Sequence, residues 1–534
     1  MTNVVRIALL LMLGVLASSL PAVAAEEPPA QTPDQAFDAL KTWEDGQSHV
    51  PLNVLEWHVG RAGADADARR KAAERLAAIL ADPKATPAAR KVICHLLPMV
   101  VSDAQVPMLA KMLDDPQVAD LACGVLETIP GEASAEALRA AFAKQKGDVL
   151  AGVINSLGKR RDAKSVATIA KLIQDGDAKV AAAAVRALGN IGTAEAAHAL
   201  KEANFSRESL PEAWDALLRC ADGLAASGDA IGAAAIYIEL WSKAERRQVR
   251  AAALAGLARV QSPVALQLVM KAIQSDDLFL RGTAASLGRT MTLPGVSAAL
   301  AATMEAAEPP AQAVILEVLA ARGDRAAGLA AWKLMDSKDE AVRLAAVAAM
   351  GSLGDAACVE RLVRLAAEQG AAQAVARAAL ARLAAPEVGA RLIALAAKGE
   401  PAVRAEAIRA IAERRSAGAG QVLADAAGEA DESIRAAAVN ALAVAGASDV
   451  YPRLIQMLVA AASPRDGEAL EKAVIAVGGR IAAPAAISVG SRMAAPAERT
   501  GPVIAALKSA AAKARPASAA ARTCRRSAFD HSSM

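Results

Sequence analysis

The stretch DEAVRLAAVAAMGSLGD, residues 339–355, decides the fold. Val342 and Met350 are eight residues apart, just over two helical turns, so they share one face. Ala346 lies between them at i+4 and keeps that face apolar but thin. Asp339 stands three residues before Val342 and reads as an N-cap. Gly354 reads as a helix stop, and Asp355 as the cap of a second helix. The same reading applies to VAAAAVRALGNIG from Val180, VRAAALAGLARV from Val249, VRAEAIRAIAERR from Val403 and IRAAAVNALAVAG from Ile434. Their large apolar pairs are Val180/Leu188, Val249/Leu257, Val403/Ile411 and Ile434/Leu442.

Weaker copies start near Ala88, Val118, Val149, Ala216, Phe279, Ala311, Ala372 and Leu470. Most starts are 30 or 31 residues apart, and the spacing stretches to 36 and then 33 around Ala216. About thirteen helix pairs result, each too small to bury a core of its own. Acids precede the starts at Asp115, Asp177, Asp276, Asp339, Glu400 and Asp431. In Asp115-Pro116 and Glu400-Pro401 the proline fits the first helical position, where a missing N–H costs nothing. Gly192, Gly323, Gly354 and Gly446 close first helices, and Asp324 and Asp355 open second ones. Second helices read as LVRLAAEQG near Leu362 and LIALAAKGE near Leu392.

Composition agrees. The 534-residue chain is 54% hydrophobic but 2% aromatic. Alanine fills the gap at roughly a quarter of the chain, about three times ordinary usage. An all-β fold needs aromatic and β-branched residues to cover its sheets, so that class is excluded. The apolar content and a net charge of +3 exclude a disordered chain.

The D-x-x-V-R opening (Asp339 to Arg343), the A-x-x-A-M-G centre (Ala346 to Gly351) and the closing Gly354-Asp355 resemble HEAT repeats. The resemblance is to the short bacterial type similar to the phycobilisome-lyase HEAT-like repeat, and it covers most of the chain. It implies an all-α, right-handed α-α superhelical solenoid with an extended concave face. The stretch AASGDAIGAAAIYIELW resembles a tetratricopeptide helix pair. The opening AFDALKTW and the stretch from Asp148 are similar to exported HEAT-repeat proteins, some of which carry a jelly-roll or c-type haem domain. No C-x-x-C-H haem motif occurs in this chain.

Residues 1–25 read as a cleavable signal peptide: Arg6, an apolar run from Ile7 to Leu16, and Ala22-Val23-Ala24. The run is too short to span a bilayer. The expected location is periplasmic or extracellular, with cleavage after Ala24 or Ala25 and no membrane contact afterwards. Residues 26–85, with Phe37, Leu40, Trp43, Val54, Leu55 and Trp57, form a helical cap; a ligand platform built on Trp43 and Trp57 is the alternative. Residues 86–480 form the solenoid and residues 481–512 irregular final helices. Residues 513–534 form a disordered basic tail, whether native or left by a frameshift.

Little in the chain points to chemistry. His49, His58, His95, His198 and His531 form no H-x-x-x-H or H-E-x-x-H pattern. By the resemblance, a di-iron HEAT enzyme would need paired His-Glu dipeptides, and there are none. Neighbouring Cys94 and His95 point about 100° apart on a helix and do not converge on one metal. Cys94 and Cys123 fall in successive first helices, and their pairing is open; the odd count of five cysteines argues against a disulfide framework. Arg250, Arg281, Arg343, Arg404 and Arg435 recur near one unit position. They read as an internal ladder paired with acids or helix-end carbonyls; the competing reading is a basic stripe for nucleic acid. Trp214, Tyr237 and Trp241 cluster in the stretched unit, either as a binding feature or as a packing adjustment. The expected function is therefore a non-catalytic scaffold for other proteins, with no cofactor, no metal and no nucleic-acid partner. The alternatives are the interaction portion of a longer exported carbohydrate-active or redox protein, and a bilin-lyase-like HEAT enzyme.

Overall fold

The computed structural model describes residues 31–446, 448–461 and 463–486. The expected signal peptide, most of the final helices and the basic tail lie outside the described residues. Among the described residues every regular element is a helix and there is no strand. The chain divides into two compact units between Ser262 and Pro263.

The first unit opens with helices Pro33–Leu40, Val50–Ala62 and Ala66–Ala81. Thr32 starts the first of these with a capping box closed by Gln35. Phe37, Leu40, Trp43, Val54 and Leu55 are buried, whereas Trp57 is 41% exposed beneath the Arg61 guanidinium. First helices Pro87–Leu96, Ala119–Leu126, Gly147–Lys159, Ala178–Ile191, Leu210–Ala226 and Arg247–Arg259 follow. Second helices Val106–Met112, Glu132–Phe142, Val166–Ala170, Ala194–Glu202 and Ala230–Lys243 alternate with them.

The second unit opens on a second helix, Pro263–Ile273. Its first helices are Leu278–Thr290, Pro309–Arg322, Glu340–Leu353, Ala371–Arg382, Pro401–Arg414, Glu432–Ala445 and Pro464–Ala486. Between them run Val296–Met304, Gly328–Leu334, Val359–Ala367, Val388–Ala397, Gly420–Ala426 and Tyr451–Ala460. Each unit is thus an all-α solenoid of stacked helix pairs.

Within each unit, each repeat's first helix packs on the next first helix, and each second helix on the first helix that follows it. The interior is therefore shared between neighbouring pairs. The large apolar pairs all face it: Val180/Leu188, Val249/Leu257, Val342/Met350, Val403/Ile411 and Ile434/Leu442 are buried. Each such side chain contributes about 1.5–3 kcal/mol by leaving water. The glycine of the repeat has a packing reason. A Cβ on Gly158 would lie 2.6 Å from the Ala187 Cα, and one on Gly189 would lie 2.8 Å from the Ala216 Cα. Consecutive first helices touch backbone to backbone at these points.

Several local readings need correction. The N-cap before Leu278–Thr290 is Asp277, not Asp276, and it accepts from the Phe279 and Leu280 amides. One residue of slip follows: Leu280 is buried, whereas Phe279 is 44% exposed. Asp115-Pro116 does not start a helix. Asp115 closes a turn onto the Gln117 amide, and the helix begins at Ala119. Pro401 does sit in the first turn, although Glu400 makes no side-chain cap. Gly192 and Gly323 are left-handed, with φ of 71° and 67°. Gly354 and Gly446 are extended and need no glycine for their dihedrals. Gly354 is small because a Cβ there would lie 2.7 Å from the Cys358 Sγ. Asp324 and Asp355 cap short 3-10 turns that lead into the second helices, and these turns were not foreseen. The last first helix runs from Pro464 to Ala486.

Candidate interaction surface

The five recurring arginines are held by local partners. The Arg404 Nη atoms grip both oxygens of Glu429 at 2.9 and 2.5 Å, and its Nε donates to the Ala396 carbonyl. The bond to Glu429 raises its affinity for the proton further, against burial. Arg435 donates to the carbonyls of Glu429 and Ala430 and lies 3.6 Å from Asp466. Arg281 and Arg343 each donate to a carbonyl six residues upstream, at Ser275 and Ser337. Arg250 instead stacks over Trp241, 4.7 Å from the ring centre, and its Nε is buried without a partner.

Trp214, Tyr237 and Trp241 all point inward, at 8%, 1% and 6% exposure. The stretched spacing is taken up by the long helix Leu210–Ala226 and by the segment before it. Tyr237 covers Gly256, where a Cβ would fall 2.4 Å from the ring. Its hydroxyl donates to Asp222 at 2.6 Å and accepts from Arg259 at 2.7 Å. Burial, then the bond to Asp222, pushes this phenol well above its ordinary range. The trio offers no aromatic surface to a ligand. Trp43 is likewise buried and donates to the Ser48 carbonyl.

Cys94, Cys123, Cys220 and Cys358 are free thiols, and burial raises each. Among the described residues no three His, Cys, Asp or Glu side chains gather where a metal could bind. No described helix is long and apolar enough to cross a membrane.

Sequence reasoning missed a second set of arginines. Arg160 donates to the carbonyls of Leu126, Glu127, Ile129 and Gly131. Arg322 reaches Gly288 and Met291, Arg414 reaches Leu380 and Ala381, and Arg480 reaches Leu442, Ala443 and Gly446. Arg160, Arg322 and Arg414 lie at the ends of their first helices and Arg480 inside its own, and each caps the end of the preceding first helix. The sequence signal was present as a recurrent arginine near the helix stop.

Sequence reasoning also missed an apolar groove of about 520 Å³ in the second unit. Its floor is Met350 and Leu353, from the helix that decided the fold, with Ala357 and Cys358 beside them. Helix Gly328–Leu334 forms the wall. Gly328 permits the close approach, since a Cβ there would lie 2.6 Å from the Leu353 carbonyl oxygen. This places Leu329, 71% exposed, and Trp332 on the groove. Arg361 stacks on Trp332, 4.9 Å from its centre, and pairs with Asp336. Arg325 and Asp355 supply opposite charges at the lining. An apolar floor with a charged border can seat an apolar side chain.

The chain matches the family model for HEAT repeats over residues 135–209 and 389–478. No curated protein sequence matches it. Among solved structures it is similar to the karyopherin Kap121p bound to the extreme C-terminus of the protein phosphatase Cdc14p, with 11% identity and a TM-score of 0.42. That likeness covers 86% of this chain and 55% of the karyopherin. Kap121p bound to Pho4p gives 12% identity, a TM-score of 0.43, and coverage of 87% and 56%. Kap95p, in a study of its binding to RanGDP, gives 13%, 0.42, and coverage of 89% and 69%. The chain thus spans little more than half the length of the Kap121p structures. One matched segment lies in each compact unit, and over those segments the stacked pairs are similar to HEAT repeats.

Proposed function

We propose that this chain is a non-catalytic protein-interaction scaffold working in an exported compartment. The observation that carries the reading is the groove around Leu329 and Trp332. Leu329, 71% exposed, adjoins half-buried Trp332 and an apolar floor, and it is this contiguous apolar surface, rather than one exposed leucine, that marks an interface. The occupant the groove suits is one apolar side chain of a partner's amphipathic segment, flanked by charges that meet Arg325 and Asp355. The recurring arginines favour protein over nucleic acid as partner, because they are engaged with carbonyls, carboxylates or a ring. The leader-like residues 1–25 support export.

Capture from the periplasmic fraction tests both parts. The wild-type protein is expected to recover a defined partner, and Leu329→Glu to lose it without change in helicity or melting temperature. Equal recovery by both proteins contradicts the groove as the docking site. Absence of the chain from both the periplasmic fraction and the medium contradicts export.

A further inference from the structure

The first unit carries a tripeptide that the scaffold reading leaves unused, Asn204-Phe205-Ser206. It lies in the segment between helices Ala194–Glu202 and Leu210–Ala226, where the repeat spacing stretches. We propose that Asn204 is the acceptor of one N-linked glycan, added on the exported side of the membrane. The proposal rests on the export part of the reading above and adds a covalent modification to it.

Asparagine followed two residues later by serine or threonine, with no proline between, is the sequence that a glycan transferase reads. The chain has six asparagines, at positions 3, 53, 155, 190, 204 and 440, and only Asn204 meets that rule. Glu202, exposed and without an ion pair among the described residues, stands two residues ahead and offers a transferase one further contact.

Three letters of sequence recur by chance, so placement decides. Asn204 is exposed and outside any helix, as a bulky hydrophilic group on its side chain requires. Its carboxamide makes no hydrogen bond among the described residues, so Nδ2 is free to react. The main-chain N–H groups of Asn204, Phe205 and Ser206 likewise donate to nothing among those residues. The Asn204 carbonyl accepts from Gln174 Nε2 at 2.7 Å. The Ser206 hydroxyl has only local partners, the Ser209 hydroxyl at 3.1 Å and the Ser209 amide at 3.2 Å. Phe205 is half-buried. Seating the tripeptide in a transferase therefore gives up that burial and the bond to Gln174, and no helix has to unwind.

The step is a substitution at a sugar carbon. Asn204 Nδ2 bonds to the anomeric carbon of an oligosaccharide carried on a polyprenyl diphosphate. The bond from that carbon to the diphosphate oxygen breaks, and the polyprenyl diphosphate leaves with the electron pair. Nδ2 gives up one proton to a base of the transferase, and nothing is oxidised or reduced. The Ser206 hydroxyl is a recognition group and takes no part in the bonds made or broken.

Mass spectrometry of the chain recovered from the periplasm or medium of its own cells tests the proposal. Tryptic peptide 202–207 is expected to carry the mass of one oligosaccharide and to release sugar oxonium ions on fragmentation. Asn204→Gln and Ser206→Ala should each lose that mass, Ser206→Thr should keep it, and all three should retain the helicity of the wild type. Exported wild-type chain with peptide 202–207 unmodified overturns this proposal and leaves export standing. A glycan that survives Ser206→Ala, or that sits on another asparagine, overturns the assignment to Asn204. Absence of the chain from both periplasm and medium removes export and this proposal with it.

Discussion

Arginine 160 shows what a single residue does in this architecture. An arginine near a helix end is ordinarily read as a partner of its own helix dipole. Here it reaches across to the preceding first helix and satisfies carbonyls that have no intrahelical donor. Arg160→Ala is expected to lower stability by about 2 kcal/mol, and Arg160→Lys to recover only part of it, because one ammonium cannot span several carbonyls. Urea titration of the three proteins checks this. Glu406 makes a sharper case. Its carboxylate is 4% exposed and is bonded by both Nε and Nη2 of Arg377, with Arg409 beside it. Arg377→Ala leaves that charge half-compensated in the interior, and the expected cost is about 2–3 kcal/mol, reduced by the partial exposure of the arginine. The thiols give a pH test. Burial pushes Cys94, Cys123 and Cys220 up to about 12 and Cys358 up to about 11. Unfolded thiols ionise near about 8.5, below the folded values. Their contribution to stability is thus complete below that pH and is lost as pH rises toward the folded values. Iodoacetamide at pH 8 should modify these four cysteines slowly in the native protein and rapidly in urea, as read by peptide mass spectrometry. Rapid native labelling would contradict their burial.

At the level of the helix, the sequence was legible where one face repeats and obscure where two helices meet. The Val–Leu spacing located the first helices because burial on one face imposes the helical period. Short second helices such as Val166–Ala170 carry too few residues for that signal, and 3-10 turns precede several of them. The Phe279 misreading has the same origin, since Phe279 and Leu280 are both large and apolar and only packing selects Leu280. The three-aromatic cluster was visible, but its inward direction was not, because either side of a helix can hold a ring. The Leu329 groove depends on how Gly328 meets Leu353, a contact between helices that no local pattern encodes. Glycine separates packing from propensity in a direct comparison. Gly158→Ala forces a methyl against Ala187 and should cost about 1–3 kcal/mol by overpacking, net of any gain in helix propensity. Gly282→Ala faces open space inside helix Leu278–Thr290 and should gain about 0.5–1 kcal/mol. Thermal melts of the two variants check the contrast, and equal effects would mean that the close approach of first helices is not a stability determinant.

At the largest scale the controlling fact holds within each compact unit: each helix pair borrows its interior from the next. Second helices pack on the first helix that follows, so cutting the chain between pairs exposes apolar faces on both sides of the cut. The proposed scaffold role is compatible with this arrangement: the repeat sets the packing, while outward residues such as Leu329 are free to differ from pair to pair. The most direct measurement is urea unfolding, followed by circular dichroism, of fragments beginning at Asp339 and ending after one, two, three or four second helices, at residues 368, 398, 428 and 461. A shared interior requires the one-pair fragment to be unfolded in buffer and the midpoint to climb with each added pair. A one-pair fragment that folds cooperatively, with a midpoint no lower than that of the four-pair fragment, would contradict it.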